Sequence, residues 1–206
     1  MTKKATITVI LDRSGSMGSV QQETVKGFNR FAKEQPKDSS ISLWQFDMPE
    51  DKPDISQTFK DVPASEVKLR SSQYAPRGLT PLLDAVGEVV SRIKGKGEQI
   101  VLIITDGAEN ASREWTLKRV RDLIEAKRKK GWQFVFMGAG IDAYGEASSY
   151  GISAVNTYAY DSTPTSTNAA WSNVSSGTHA YLRGVTNTIV MPDNDTADPT
   201  YIPPKS

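Results

Sequence analysis

The sequence predicts an α/β fold: a doubly wound, mostly parallel sheet with one antiparallel edge strand and helices on both faces. Two observations predict it. Short, nearly continuous apolar runs at residues 7–11, 100–104 and 134–137 have the character of strands buried on both faces. Between them lie segments whose apolar residues recur at helical spacing, and such alternation favours parallel strands joined by crossover helices.

Taken in order, residues 19–34 carry Val25, Phe28, Phe31 and Ala32 on one helical stripe. Residues 41–46 read as a second strand. Residues 54–60 read as a weaker one, with Ile55 and Phe59 among polar residues. Pro49 and Pro53 between them predict an antiparallel hairpin with a polar edge strand. An irregular stretch with Pro63, Pro76 and Gly78 follows. Thr80 is then expected as a helix N-cap and Pro81 as the first helical residue. Leu83, Val86, Val90 and Ile93 give that helix its core stripe, and Gly95 and Gly97 end it. Residues 115–130 form the next helix, with Leu117, Val120 and Ile124 expected to face inward. Beyond Gly140 the pattern predicts a short helix near 142–150, a strand near 153–158 and a helix over roughly 165–182. Residues 1–183 are read as the domain. Residues 184–206, which include a proline-rich end, are read as a tail that is either disordered or draped on it.

Composition narrows the possibilities. At 206 residues with 37% hydrophobic content, one large domain can bury a real core; a domain of this size buries roughly 70% of the surface its unfolded chain exposes. The net charge of +1 gives no global reason to expect nucleic acid or an anionic membrane as partner. The absence of cysteine excludes disulfides, thiolate metal sites and cysteine nucleophiles. The N-terminal apolar run is short, interrupted by Thr8 and closed by Asp12, so it does not read as a secretory signal. No run approaches the roughly 20 apolar residues of a spanning helix. A cytoplasmic location is expected, and the Asn-X-Ser/Thr triplets at Asn110, Asn173 and Asn194 are read as chance.

Three fragments sit where such a fold binds ligands. Asp12-Arg13-Ser14-Gly15-Ser16 directly follows the first strand, Thr80 opens a helix, and Asp106-Gly107 directly follows the most apolar strand. Ligands in open α/β sheets bind beyond the carboxyl ends of strands, where strand order reverses. If the first and fourth strands are neighbours there, Asp12 and Asp106 share one crevice. Two carboxylates and three hydroxyls, without histidine or cysteine, make an all-oxygen donor set that favours Mg2+, Mn2+ or Ca2+. Serines two apart point the same way from an extended segment, and Gly15 between them permits a tight loop.

Asp12-Arg-Ser-Gly-Ser16, Gly78-Leu-Thr-Pro-Leu82 and Ile104-Thr-Asp-Gly107 together resemble the von Willebrand factor type A (vWA) domain with a complete metal-ion-dependent adhesion site, or MIDAS. The resemblance covers roughly residues 4–182 in element order. It implies that Asp12, Ser14, Ser16, Thr80 and Asp106 hold a divalent cation, Mg2+ first. It further implies a Rossmann-like fold and a binding rather than enzymatic role, in which a Glu or Asp of a protein partner completes the metal shell.

Rival readings are weaker on the residues. A haloacid-dehalogenase-type phosphatase needs a second aspartate where Ser14 stands, and a nucleophile elbow needs glycine at that same position. His179, the sole histidine, reads as a surface or helix residue rather than a base. Gly138-Ala-Gly140-Ile-Asp142 lacks the third glycine of a dinucleotide fingerprint. The basic helix 118–130 reads as a solvated face whose final cations oppose the helix dipole. Glu109 and Asn110 are read either as the site rim or as caps of the next turn. Asp47 is a candidate to support the site from behind, Asp84 to bond backbone or a basic neighbour, and Arg77 to remain an exposed loop residue or to meet an acidic ligand. Trp44, Trp115, Trp132 and Trp171 are read as packing residues. A metal-dependent hydrolase using the same cation, or a purely structural metal, remain the alternatives.

Overall fold

The computed structural model describes residues 3–95 and 97–192. The first apolar run lies in β1 (Ala5–Asp12), which is buried along almost its whole length. A 3-10 turn at Gly15–Val20 leads into α1 (Gln21–Glu34). Then come β2 (Ser40–Asp47), β3 (Asp54–Pro63), α2 (Leu82–Arg92), β4 (Glu98–Thr105), α3 (Leu117–Arg128), β5 (Gln133–Ala139), α4 (Ala143–Ser149), β6 (Thr157–Tyr160) and α5 (Pro164–Leu182). The strands hydrogen-bond in the order β3-β2-β1-β4-β5-β6. All pairs are parallel except β2 with β3. The expected doubly wound sheet, with β3 as its polar antiparallel edge, is the one found.

This order places the functional end. The chain moves outward from β1 through β2 to β3, returns to β4 on the other side of β1, and moves outward again. Strand order therefore reverses between β1 and β4, and a crevice opens beyond their carboxyl ends.

Side-chain alternation along the central strands builds a core on each face. Ile100, Leu102 and Ile104 of β4 join Phe28 and Phe31 of α1 and Trp171 and Val174 of α5. Val101 and Ile103 of the same strand join Leu82 and Val86 of α2, Val120 and Ile124 of α3, and Ala147 of α4. Among the described residues, no helix is long and apolar enough to cross a membrane.

Several expectations are corrected. Helix α2 begins at Leu82, so Pro81 rather than Thr80 occupies the N-cap position, and no side chain of its own caps the helix. The free amides are met from another loop: Leu83 donates to Glu109 Oε2 at 2.7 Å and Asp84 N donates to Ser112 Oγ at 2.9 Å. A carboxylate at the positive end of a helix satisfies orphan donors and the dipole together. Leu117, expected to face inward, is 42% exposed because it stands at the first helical position, ahead of the turns that carry Val120 and Ile124 into the core. The last strand starts later than expected, at Thr157, since residues 154–156 form a 3-10 turn. Its Asn156 reaches Ile189 O at 2.7 Å. Ile189 and Met191 are buried in the core, so apolar packing continues past Gly184 to the end of the described residues. The Asn194 triplet and the rest of the tail lie outside them.

Helix α1 packs on α5 through Gly27 and Trp171, which allows a direct test of packing. A Cβ on Gly27 would lie 2.1 Å from Cδ1 of Trp171, a ring wedged against Phe28 and Phe31. Gly27→Ala gains up to about 1 kcal/mol of helix propensity, but overpacking a rigid indole costs roughly 1–3 kcal/mol. We expect a net loss near 1–2 kcal/mol, seen as a lower urea midpoint with an unchanged slope. A variant as stable as the wild type would show that the helices separate freely.

Candidate metal centre

Asp12 closes β1 next to the register pair Leu11–Ile104, which brings it level with Thr105 of β4. It has no solvent exposure. Its Oδ1 accepts the Ser14 amide at 2.6 Å and its Oδ2 accepts the Thr105 hydroxyl at 2.6 Å. Its own carbonyl accepts the Tyr74 hydroxyl at 2.6 Å. Ser14 Oγ lies 3.2 Å from Ser16 Oγ, and Ser16 Oγ donates to Asp106 Oδ1 at 2.5 Å. Four of the residues singled out in the sequence thus form one hydrogen-bonded chain across the β1–β4 crevice. Thr80 lies beside it. Its backbone is paired in both directions with Asn110, at 2.9 and 3.2 Å. Its Oγ1 sits only 2.8 Å from where a Cβ on Gly107 would fall.

The loops that carry these groups are laced together by backbone. Gly15 N donates to Gly78 O at 3.1 Å, and Arg77 N donates to Arg13 O at 2.8 Å. Met48 and Leu79 exchange both amide hydrogen bonds at 3.0 Å. Gly78 has a φ of +67°, and a Cβ there would fall 2.1 Å from Met48 O, so only glycine fits.

The site is electrically negative. Burial pushes the Asp12 carboxyl up to about 6; hydrogen bonds from Thr105 and Ser14 partly offset this, and the nearby Asp106 charge adds to it. Burial also raises Asp106, offset by the Ser16 hydroxyl. Tyr74 and Tyr160 are both raised by burial first and then by the charges of Asp12 and Asp106. Among the described residues no Lys, Arg or His forms an ion pair with either aspartate. Arg13, inside the motif itself, turns away to Asp47 and Asp54.

The other candidates are distributed around this centre. Asp47 stands behind the loops, fully buried and bound by Arg13 and Arg77. Glu109 and Asn110 serve as caps: Glu109 holds the start of α2, and Asn110 holds Thr80. Asp84 accepts the amides of Arg113, Glu114 and Trp115, so it fixes the loop before α3. Asp142 caps α4 through Gly145 N. His179 is on α5 against the Glu34 carbonyl, at the far end of the sheet. The four tryptophans pack against neighbours, with Arg92 over Trp44 and Arg119 over Trp115. Sequence reading missed Thr105 and Tyr74. Thr105 was findable, since it directly precedes Asp106 in the strand that faces Asp12. Tyr74 comes from an irregular loop and left no such signal.

The donor set fits a hard divalent cation. It is all oxygen, mixes two carboxylates with neutral hydroxyls, and carries uncompensated negative charge. Among the described residues no three His, Cys, Asp or Glu side chains converge to hold a metal. The crevice would rely on hydroxyls for the remaining positions.

No protein-family profile matches the chain, and no curated protein matches it. Solved structures do. Proximal thread matrix protein 1 from the mussel byssus aligns with a TM-score of 0.67 at 16% identity, covering 84% of this chain and 46% of that one. The ArnB paralog VWA2 from Sulfolobus acidocaldarius aligns at 0.63 and 17%, covering 86% and 45%. The fold is that of a vWA domain. Manganese-loaded TRAP protein from Plasmodium vivax aligns at 0.53 and 16%, covering 81% and 71%. The mussel protein is also known with a zinc-occupied MIDAS motif. This chain spans less than half the length of the first two. The vWA likeness at such identities carries the architecture; the chemistry of the crevice rests on the residues themselves.

The raised Asp12 carboxyl makes stability pH-dependent in a stated direction. Its folded value of about 6 lies above its ordinary 3.8, so the folded state holds the proton more tightly. The stabilising contribution is complete below the ordinary value and is lost as pH rises through about 6. At about 1.4 kcal/mol per unit, the loss is on the order of 3 kcal/mol. In EDTA the wild type should therefore lose stability between pH 4 and 7, whereas Asp12→Asn should be flatter and more stable at pH 7. Chemical denaturation across that range tests this, and parallel profiles for the two proteins would refute it.

Proposed function

We propose that this vWA domain is a divalent-cation-dependent protein-interaction module in which Asp12, Ser14, Ser16, Thr80 and Asp106 hold Mg2+, with Mn2+ and Ca2+ as alternatives. The observation that carries the reading is electrostatic. Two aspartates share a crevice and, among the described residues, have no ion-pair partner, while Arg13 and Arg77 of the adjoining loops pair with Asp47 and Asp54. When bound, the cation supplies an electrophilic centre that accepts a carboxylate from a partner's Glu or Asp. With mostly neutral direct donors, such a centre keeps enough charge to attract an acidic ligand.

The chain's own residues prepare that contact. Ser16 is exposed and Asp106 half-buried, which leaves the mouth open, while Asp12 and Ser14 form the buried floor. Because Arg13 and Arg77 are both engaged by Asp47 and Asp54, a ligand carboxylate would meet the cation rather than an arginine. A hydrolase at this crevice would need a general base. The sole histidine is at the opposite end of the sheet, which supports binding over turnover. The mussel-byssus matrix protein among the structural neighbours supports the same choice. A nucleic-acid partner is not favoured, since Lys118 and Arg121 of α3 are paired within their own helix. The lack of cysteine accords with a cytoplasmic setting.

Calorimetric titration with Mg2+ and Mn2+ tests the metal. The Asp12→Ala/Ser14→Ala double variant should bind at least about tenfold more weakly than the wild type. Equal binding would end the metal proposal. A pull-down with and without EDTA then separates partner capture from a purely structural metal: captured proteins should elute with EDTA. Robust metal-dependent hydrolysis of phosphoesters or peptides, lost in Asp106→Ala, would instead favour the enzyme.

A further inference from the structure

Behind the metal loops, four charged side chains form a closed unit. Asp47 has no exposure, and each of its oxygens takes an arginine: Oδ1 receives Arg13 Nη2 at 2.8 Å, and Oδ2 receives Arg13 Nε at 3.2 Å and Arg77 Nε at 2.7 Å. Asp54 Oδ2 receives Nη2 of both arginines, at 2.9 and 2.7 Å, and Arg13 Nη2 is thereby shared between the two carboxylates. The two arginines belong to different loops. Arg13 lies between Asp12 and Ser14, and Arg77 lies three residues before Thr80. Both aspartates belong to the β2–β3 edge, directly opposed in register as Asp47–Asp54. Charge within the unit balances, two against two.

We propose that Asp47, with Asp54 assisting, positions the cation-binding loops by clamping Arg13 and Arg77. This rests on the metal reading above and gives a positioning role to four residues outside its donor set. Three observations support the clamp. Each arginine's backbone also joins the other loop, through Arg77 N to Arg13 O, while Gly15 N reaches Gly78 O. The side-chain and backbone links therefore hold the same two loops in one register. Next, Arg13 also donates its amide to Phe46 O at 2.8 Å, so the clamp is anchored on β2, a strand that supplies no metal-site residue. Finally, the arrangement keeps two guanidinium groups away from Asp12 and Asp106. Were either arginine released, it could pair with those carboxylates and compete with a cation. Asp47, fully buried, is the principal member; Asp54, at 38% side-chain exposure, is the weaker one.

Asp47→Asn keeps the shape but cannot neutralise two guanidinium groups. Manganese binding, followed by electron paramagnetic resonance on the folded protein, should weaken by about tenfold or more. Amide exchange at Gly15 and Arg77 should quicken. Arg77→Gln should weaken binding by about threefold, and adding it to Asp47→Asn should cost little more, as expected for residues acting as one unit. A role in stability alone would lower the melting temperature but leave the manganese affinity of the folded protein unchanged, and that result overturns the proposal. If Asp47→Asn does not fold, half-exposed Arg77→Gln decides on the same two readouts. If the wild type binds no manganese, the metal reading fails separately. The exchange rates at Gly15 and Arg77 then judge the clamp, and unchanged protection in Asp47→Asn overturns it.

Discussion

Asp12 is an ionisable group placed at the end of a central strand, sealed from water and, among the described residues, without an ion-pair partner. Most of the loop structure at this end of the sheet answers to that condition. Its two oxygens are met by the Ser14 amide and the Thr105 hydroxyl, and its carbonyl by Tyr74. The Ser14 and Thr105 hydrogen bonds ease the desolvation cost without neutralising the charge, so burial still raises the carboxyl to about 6. A buried carboxylate usually solves this problem with an arginine. Here the nearest arginine is adjacent in sequence and faces the other way.

That divergence organises the charges into two compartments. On one side Arg13, Arg77, Asp47 and Asp54 satisfy one another. On the other, Asp12 and Asp106 face each other across a bridge of serine hydroxyls. The backbone separates them, since Arg13 lies between two residues of the crevice while its side chain serves β2 and β3. Residue alternation in an extended segment does this at little cost: neighbours point to opposite sides. A balanced compartment beside an unbalanced one is informative in a way that a cluster of acids would not be. Arg13 and Arg77 belong to the loops that border the crevice, yet their side chains pair with Asp47 and Asp54.

The fold was legible because its signals are strong and local. The runs at 100–104 and 134–137 could hardly be anything but buried strands, and Pro49 and Pro53 marked the hairpin of β2 and β3. The candidate site was legible for a related reason: its members lie next to strand ends, where the fold itself fixes their position. What sequence could not show was long-range pairing. Thr80 looked like an N-cap because Ser/Thr-Pro is a common helix start. The cap came instead from Glu109 and Ser112, which only tertiary structure brings to α2. The same holds for Asp84, which binds amides some 30 residues away. Burial of Ile189 and Met191 was hidden because isolated apolar residues in a loop carry no period.

The displaced cap has a consequence for the crevice. A threonine that caps a helix directs its hydroxyl back to the amides of the first turn. Thr80 has no such duty: its amide and carbonyl are both held by Asn110, and its hydroxyl is left over Gly107, beside Asp106. Glycine at 107 is what makes room, because any larger residue would push a Cβ to within 2.8 Å of that oxygen. The capping work done by Glu109 and Ser112 thus spares the Thr80 hydroxyl that duty and leaves it beside the 106–107 turn. Loop 106–112 supplies a carboxylate to the crevice, caps the neighbouring helix and orients the threonine between them. Those three tasks share one short segment, and this explains why Asp106 and Thr80, distant in sequence, arrive at the same place.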